Sequence, residues 1–265
     1  MAGRVWYNDG VMEKQLTPEN QLTAAFGALG IPLSSRQQEQ FLLYAELLVS
    51  WNERMNLTAI TDLPGIIEKH FADSCAAALY PRYLPQGSPR VIDVGTGAGF
   101  PGIPLKILFP SWQMTLLDAL GKRIRFLEEV IQRLGLTDIE AVHSRAEDAA
   151  KLPLYRERFD LCVSRAVAPL PVLAEYTLPF LAKGGTLLAY KSLQQEDEVE
   201  DAGTAIRILG GRVKDNFSFT LPGSELPRRF IVIEKSAATP NRYPRKSGTA
   251  SRDPLGSRKE QLPKA

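Results

Sequence analysis

From Arg90 onward, short apolar runs alternate with segments that have the spacing of amphipathic helices. The apolar runs are RVIDVG, QMTLLDA, IEAVHS, FDLCVSRAV and TLLAYKS, and the helical segments lie near 102–109, 121–135, 169–182 and 194–209. Nearly continuous apolar runs suit strands that are buried on both faces of a parallel sheet. The last two runs, RVKDNFSFTL and RRFIVIEK, follow one another without a helix. They predict an antiparallel hairpin at the edge of a doubly wound α/β sheet of seven strands.

In the first ninety residues, the pattern predicts helices without intervening strands. Thr17 suits the N-cap of a first helix, which ends at Gly30. The N-cap of the second helix is Ser34 or Ser35. A third helix starts at Pro64 and runs to about residue 80. We therefore expect three regions: an N-terminal helical cap at 1–88, a sheet domain at 89–236, and a basic tail rich in Pro and Ser at 237–265.

Composition narrows the class of protein. The chain has 265 residues, of which 44% are hydrophobic and 23% charged, so it can bury a large core. No apolar run approaches the roughly 20 residues that cross a bilayer, and the first ten residues lack a signal pattern. Cys75 and Cys162 have no CxxC partner and no His neighbour, which favours buried thiols in a reducing compartment. We expect a cytoplasmic protein without a metal site or a membrane anchor.

The charge is unevenly distributed. From Lys235 onward eight Lys and Arg stand against two Asp and Glu, whereas the rest of the chain has 24 basic and 28 acidic residues. One interpretation is a solubilising, disordered end. The other is a basic arm for a phosphate backbone, in which Tyr243 stacks on a base and Arg242, Arg245 and Lys246 contact phosphates.

The stretch DVGTGAGFPG at 93–102 predicts a tight turn between a strand and a helix N-terminus. Gly97, Gly99 and Gly102 match the GxGxxG spacing of dinucleotide-binding folds. An acidic residue inside the strand, Asp93, and a GxGxG series that begins at Gly95 favour a different ligand. Two prolines at the helix entry also argue against a pyrophosphate, which needs free N–H groups.

An acidic residue followed by GxGxG resembles the S-adenosylmethionine motif of class I methyltransferases. We therefore predict that fold, with its Rossmann-like seven-stranded sheet and antiparallel last strand, and S-adenosylmethionine as the cofactor. Asp93 would help to hold the ammonium group, directly or through turn N–H groups and water. Asp118, about twenty residues after the turn, would accept the ribose hydroxyls; the alternative is an ordinary cap for the helix at Gly121.

The residues after the fourth predicted strand constrain the chemistry. They read SRAVAPL, without the (Asp/Asn)-Pro-Pro-aromatic step of many amine methyltransferases, and neither cysteine follows a proline as a cytosine-attacking nucleophile usually does. No close pair of His and carboxylate suggests a general base. A nitrogen with a free lone pair, such as guanine N7, needs none of these groups, and alignment alone can supply most of the catalysis.

Six motifs together resemble the RsmG family, also called GidB, of small-subunit ribosomal RNA guanine-N7 methyltransferases. They are WNERMNLTAI, HFADS, DVGTGAGFPGIPL, SRAEDA, SRAVAPLPVL and TPNRYPRKSGTASRDPL, in this order between about Leu42 and Leu255. The resemblance implies methylation of one guanine in the helix 18 loop of 16S rRNA, with the small ribosomal subunit as the partner.

The family motifs also imply site residues. Gly95 and Phe100 of the glycine turn, Ala146 and Glu147 beside the adenine, and Arg165 at the end of the fourth strand correspond to cofactor-site residues of the family. A solvated helix start is the alternative for Glu147. The predicted cofactor residues are Asp93, Gly95, Gly97, Gly99, Phe100, Asp118, Ala146, Glu147 and Arg165, and the predicted RNA contacts are Arg165, Arg242, Tyr243, Arg245, Lys246 and Arg252.

Three questions stay open from the sequence. Asn52 and Asn56 share a helix face, where a cap is the alternative to a ligand contact. His70 and Asp73 also share a face and could form a hydrogen bond, either as an internal cap or at an edge of the active-site mouth. We expect a structural or substrate-positioning role for these residues rather than direct chemistry. The tail is expected to act as an arm, although it would instead be a structural strap if Tyr243 and the prolines pack on the body. A small-molecule methyltransferase and a cofactor-sensing RNA-binding protein without turnover are the rival functions, and nothing in the sequence requires more than a monomer.

Overall fold

The computed structural model describes residues 17–193 and 198–256 around one seven-stranded sheet. The strands are β1 Arg90–Val94, β2 Gln113–Asp118, β3 Ile139–His143, β4 Phe159–Arg165, β5 Leu181–Lys191, β6 Gly211–Thr220 and β7 Pro227–Lys235. Their order across the sheet is β3-β2-β1-β4-β5-β7-β6, and only the β5–β7 and β6–β7 pairs are antiparallel. The predicted fold class and the predicted edge hairpin are confirmed.

The helices largely follow their predicted starts. They are α1 Pro18–Ala28, α2 Ser35–Met55, α3 Leu63–Ile66, α4 Asp73–Cys75, α5 Gly102–Leu108, α6 Gly121–Arg133, α7 Ala146–Ala149, α8 Leu170–Thr177, α9 Glu198–Ile208 and α10 Thr249–Arg252. The hydroxyls of Thr17 and Ser34 cap α1 and α2 as predicted. The predicted helix start at 194–197 lies outside the described residues.

Two predicted helices differ from the structure. The helix expected from Pro64 to about residue 80 contains a π-helical segment, Ile67–Ala72, between α3 and α4, and it ends in 3₁₀ turns. The helix expected at 169–182 ends at Thr177, because the chain passes through a 3₁₀ turn at Leu178–Phe180 and then enters β5. A run of apolar residues fits both states, so the sequence did not locate this boundary.

Two hydrophobic clusters lie on opposite faces of the sheet. One unites α1 to α6 with the sheet and contains the ring pairs Phe26–Phe41 and Tyr44–Phe71. The other lies under α7 to α9 and the residues that follow β7. The N-terminal helices therefore share a continuous core with the sheet, against which they bury their apolar faces.

Residues 237–256, which we call the C-terminal strap, pack against the second cluster. Tyr243 is only 7% exposed, and Leu255 is buried in the same cluster. Arg156 donates to the carbonyl oxygens of Tyr243 (2.9 Å) and Thr239 (2.8 Å). Arg245 pairs with the buried carboxylate of Glu175 at 2.7 Å.

The expectation of a free basic arm is therefore wrong for this segment, because burying Tyr243 and neutralising Glu175 stabilise the packed strap. Arg242, Lys246 and Arg252 stay exposed on its surface. Within 17–193 and 198–256, no helix is both long and apolar enough to cross a membrane.

Candidate functional site

The glycine turn connects β1 to α5 at the carboxyl edge of the parallel strands. Gly95, Gly97 and Gly99 have φ values of +73°, +63° and +96°, a region that side chains disfavour. One carboxylate oxygen of Asp93 accepts the hydroxyl of Thr96 (2.6 Å) and the N–H of Gly102 (2.8 Å). Asp93 thus ties both ends of the turn together from beneath it.

The other oxygen of Asp93 is unusual. It is fully buried, and the described residues give it no hydrogen-bond partner. Burial raises the pKa of this carboxyl to about 7, against the opposing effect of its bonds to Thr96 and Gly102. An unpaired buried carboxylate oxygen is costly, so it indicates a site that a donor from a ligand or from water completes.

Asp118 ends β2 and faces the turn. Its Oδ2 accepts the N–H of Gly97 at 2.9 Å and the guanidinium of Arg123 at 3.1 Å, and its Oδ1 accepts the N–H of Leu120 at 2.9 Å. Because each carboxylate oxygen has two lone pairs, Oδ1 can accept one further hydrogen bond, and Oδ2 can do so only if Arg123 moves. The helix that begins at Gly121 has no side-chain cap from a described residue, because Asp118 bonds the N–H of Leu120 one residue before it. The ribose role stays a prediction for which Oδ1 has a free lone pair.

A cavity of about 490 Å³, which we call the glycine-turn cavity, opens above these residues. A Cβ atom on Gly97 would point into open space with no atom within 4 Å. Of the predicted cofactor residues, the lining includes Gly95, Gly97, Phe100, Asp118 and Arg165. The open space over Gly97 leaves room for the amino acid end of a ligand, and the buried carboxylate of Asp93 places a negative charge behind this turn.

The remaining predicted cofactor residues do not line this cavity. Asp93 and Gly99 lie behind the turn, where a Cβ on Gly99 would meet Ile103 at 2.5 Å. Glu147 is buried at the start of α7, next to Ala146, and its carboxylate accepts the N–H of Gly248 from the C-terminal strap at 2.8 Å. The strap therefore fixes the segment that the family motif assigns to the adenine side.

Arg165, at the end of β4, is the centre of a buried cluster. Its Nη1 pairs with Asp73 at 2.9 Å, and its guanidinium carbon lies 5.1 Å from the ring centroid of Phe100. The ring of His70 stacks on the same Phe100 at a centroid distance of 4.5 Å. The second oxygen of Asp73 accepts Nε of Arg228 at 2.6 Å. One carboxylate thus holds two arginines.

The hydrogen bond that helix spacing allows between His70 and Asp73 is not formed. Nε2 of His70 bonds the hydroxyl of Thr58 at 2.8 Å, and its Nδ1 lies 3.4 Å from Arg165. The carbonyl of Lys69, in the π-helical segment, accepts Nη1 of Arg165 at 3.1 Å. The HFADS motif is therefore an edge of the site rather than an internal cap.

A second, larger cavity of about 800 Å³ adjoins the first, and we call it the arginine cavity. The two share His70, Arg165, Ala166 and Val167 as a common wall. Ala166 has a φ of +55°, and a Cβ on Gly95 would lie 2.6 Å from the Val167 side chain. The residues after β4 therefore separate the two cavities, with Arg165 accessible to both.

Behind this wall, a buried ion pair holds the loop. Lys191 pairs with Glu198 at 2.6 Å and donates to the carbonyl of Ala168 at 2.8 Å, while Glu198 accepts the N–H of Leu170 at 2.7 Å. Sequence reasoning missed these residues and Arg228. The available signal was their position at strand ends, on the edge where ligands of such sheets bind.

The imidazole and the two thiols near the shared wall are poorly suited to act as bases at neutral pH. Burial and the charge of Arg165 lower the pKa of His70 to about 4, so its ring is neutral. Burial raises the pKa of the Cys75 and Cys162 thiols far above neutrality. The described residues also contain no cluster of His, Cys, Asp or Glu arranged to hold a metal ion.

Asn52 has a structural role close to the site. Its Oδ1 accepts the N–H groups of Leu57 (2.6 Å) and Thr58 (2.9 Å), while Asn56 ends α2 in a left-handed conformation with φ of +45°. Leu57 and Thr58 line the glycine-turn cavity. The WNERMNLTAI motif thus shapes one side of that cavity through a helix C-cap.

The strand order, the acidic glycine turn and the cavity above it define a class I S-adenosylmethionine-dependent methyltransferase. Two solved structures support this fold. The Haloferax volcanii complex of the Trm112 activator with a putative methyltransferase superposes with a TM-score of 0.52 at 14% identity, covering 72% of this chain and 98% of that chain. TYW2 of M. jannaschii in complex with AdoMet superposes with a TM-score of 0.50 at 15% identity, covering 66% and 77%.

The family follows from the sequence comparison. The model of GidB, rRNA small subunit methyltransferase G, matches residues 37–224, and the chain belongs to this family. Ribosomal RNA small subunit methyltransferase G of Desulfitobacterium hafniense (strain Y51) is 51% identical over 227 residues, which are 86% of this chain and 93% of the relative. The protein of the same name from Acetivibrio thermocellus is 48% identical over 243 residues, or 92% and 99%.

Proposed function

We propose that this protein transfers a methyl group from S-adenosylmethionine to N7 of a guanine in the helix 18 loop of 16S rRNA. The names of the family and of its relatives support ribosomal RNA of the small subunit as the substrate. The observation that carries the proposal is the pair of adjoining cavities, which share a wall at Arg165 and Val167. One cavity suits the cofactor, and the other leaves room for an acceptor beside it.

The cofactor residues have distinct tasks. Gly97 leaves the space for the amino acid end, Asp93 acts on the ammonium side from behind the turn through turn N–H groups and water, and Asp118 offers its remaining lone pair to a ribose hydroxyl. Ala146 and Glu147 lie at the adenine side, where the C-terminal strap fixes them. When bound, S-adenosylmethionine supplies a methyl group activated by the positive sulfonium.

No imidazole or thiol among the described residues near the shared wall is poised as a base, which favours a nitrogen lone pair as the nucleophile. S-adenosylmethionine would supply the methyl group and keep the electrons of its carbon–sulfur bond on sulfur, so guanine N7 would need only its own lone pair. The product guanine carries the positive charge, and no proton leaves in this step. A neutral His70 and two buried thiols suit this chemistry, because the protein has only to orient the acceptor and exclude water.

The RNA contacts are proposed for exposed cations. Arg242, Lys246 and Arg252 project from the strap, and Arg165 lies at the shared wall. Tyr243 and Arg245 were predicted to contact RNA as well, but contact by either would require the strap to leave the body of the protein. We further propose that the protein acts as a monomer in the cytoplasm.

Methyl transfer is tested with tritiated S-adenosylmethionine and three acceptors: unmodified small subunits, naked 16S rRNA, and a metabolite extract. We expect label in one of the RNA substrates and its recovery as 7-methylguanosine after digestion to nucleosides. Label in small molecules would instead support a small-molecule methyltransferase, and cofactor binding without any transfer would support a sensing protein. Another methylated nucleoside would refute the N7 assignment.

A further inference from the structure

The arginine cavity contains an excess of positive charge that methyl transfer does not require. Its charged lining comprises four cations, Lys69, Arg165, Lys191 and Arg228, and one carboxylate, Asp73. Glu198, behind the wall, neutralises Lys191 at 2.6 Å. The four cations and two carboxylates together leave a net charge of +2 at the cavity wall, because Arg165 and Arg228 share one carboxylate and Lys69 has no ion pair among the described residues.

Arg228 contributes directly to this excess. Its Nε is held by Asp73 at 2.6 Å, and its Nη1 donates to the carbonyl of Pro227 at 3.0 Å. Nη2 has no acceptor among the residues that the structure describes, and the side chain lines the cavity. Since Asp73 is buried and also fixed by Arg165, the free edge of Arg228 has a defined direction.

Lys69 lines the same cavity as Arg228. Its side chain is exposed, and no described residue pairs with its ammonium group. A fixed guanidinium edge together with a mobile ammonium group suits an anion that has several acceptor oxygens, and phosphate is the usual partner of such a pair.

We infer that Arg228 and Lys69 form a phosphodiester subsite, which holds the RNA backbone at the target nucleotide while its base lies against the shared wall. Asp73 is the positioning residue that presents Arg228. The inference rests on the proposed function, since it assigns an RNA acceptor to this cavity.

The test uses the full-length enzyme with unmodified 16S rRNA or small subunits, whichever the wild type methylates. Arg228→Met should raise KM for RNA at least about tenfold, because a charged hydrogen bond is lost. It should also make the dependence of log KM on log salt shallower by about 0.7 to 0.9, the contribution of one phosphate contact. Arg228→Lys should restore most of the salt slope.

Arg212→Met is the matched control. Arg212 lies on β6, pairs with Glu234 at 2.9 Å, and lines neither the arginine cavity nor the glycine-turn cavity. This variant should keep the wild-type KM and salt slope, and both variants should keep the wild-type Kd for S-adenosylmethionine in calorimetry.

Equal salt slopes for wild type and Arg228→Met would overturn the inference. If Arg228→Met does not fold, Lys69→Met at its exposed position decides the question, with a shallower slope expected and an unchanged slope contradicting the subsite. The two failures can be told apart. If the wild-type enzyme labels no RNA, the proposed function is refuted. If the wild type labels RNA but Arg228→Met has the same KM and salt slope, only the phosphodiester subsite is refuted.

Discussion

The two adjoining cavities are built in different ways. The glycine-turn cavity is formed mostly by residues close in sequence, around the ends of β1 and β2, and the backbone conformation of the turn determines its shape. The arginine cavity joins residues near 60–73, 165–169, 190–192 and 228, and a buried carboxylate organises it. The first depends on local geometry, whereas the second depends on tertiary contacts between distant residues.

Gly97→Val should disable the glycine-turn cavity alone. Its side chain would occupy the open space above the turn, so we expect Kd for S-adenosylmethionine to rise at least about 100-fold in calorimetry. The positive φ should also cost about 1–2 kcal/mol of stability. Gly30→Val is the control, since Gly30 has φ of +69° and open space around it but lies far from the site. Wild-type affinity in Gly97→Val would refute the assignment of the turn.

Asp73→Asn should damage the arginine cavity instead. The substitution keeps the shape but leaves Arg165 and Arg228 without their shared charge, so kcat/KM for RNA should fall roughly 30-fold and stability by about 3–5 kcal/mol. Kd for the cofactor should change far less. Asp215→Asn removes a more exposed ion pair with Arg82 and should cost less than about 1 kcal/mol. A loss of cofactor affinity as large as the loss of kcat/KM would contradict the division between the two cavities.

Cofactor binding should depend on pH through Asp93. Because the pKa of this carboxyl is raised to about 7, it becomes protonated as the pH falls and then attracts a cationic ligand less strongly. Kd for S-adenosylmethionine should therefore rise by about tenfold between pH 8 and pH 6, and Asp93→Asn should bind weakly at every pH. Titration calorimetry across this range checks the prediction. A Kd that is constant with pH in the wild type would show that Asp93 does not meet the ammonium side.

The smallest effect is expected for kcat. With both substrates saturating and methyl transfer limiting, kcat should vary by no more than about twofold between roughly pH 6.5 and 8.5, since N7 needs no base. His70 has a pKa of about 4 and stays neutral throughout this range. A steep bell-shaped profile would require a titrating group and would make His70→Asn the next variant to measure.

The difference between the locally built glycine-turn cavity and the arginine cavity, built from distant residues, explains which site residues the sequence could predict. The turn has its own sequence signature, so Asp93, Gly97 and Asp118 were predicted from residue type and spacing, and the structure joins Gly97 and Asp118 at 2.9 Å. The positive φ values of the glycines follow from residue type as well. Arg228 and Asp73 are separated by 155 residues, and no local pattern indicates that they bond. Contacts of this kind depend on which strand lies beside which helix, information that exists only after the sheet has formed.

The tail shows a second limit. Its composition, rich in Pro, Ser and basic residues, suggested an arm, because composition averages over residues that behave differently. Arg242 and Arg245 are three positions apart, yet one is exposed and the other is paired with a buried carboxylate. The partner of Arg245 makes the difference: Glu175 on α8 has a buried carboxylate, which needs a cation to neutralise it. A local average of charge cannot include that partner.

The position of β7 has a consequence for synthesis. In chain order β7 is the last strand, but it lies between β5 and β6, and the described residues give β6 no other strand partner. Until β7 is available, one edge of β5 and the pairing edge of β6 have no strand partner, which is a state prone to aggregation. The N-terminal helices can pack early, but the sheet closes only when β7 has left the ribosome. A chain released before residue 227 would therefore keep these unpaired edges, whereas a chain released after residue 235 could pair them.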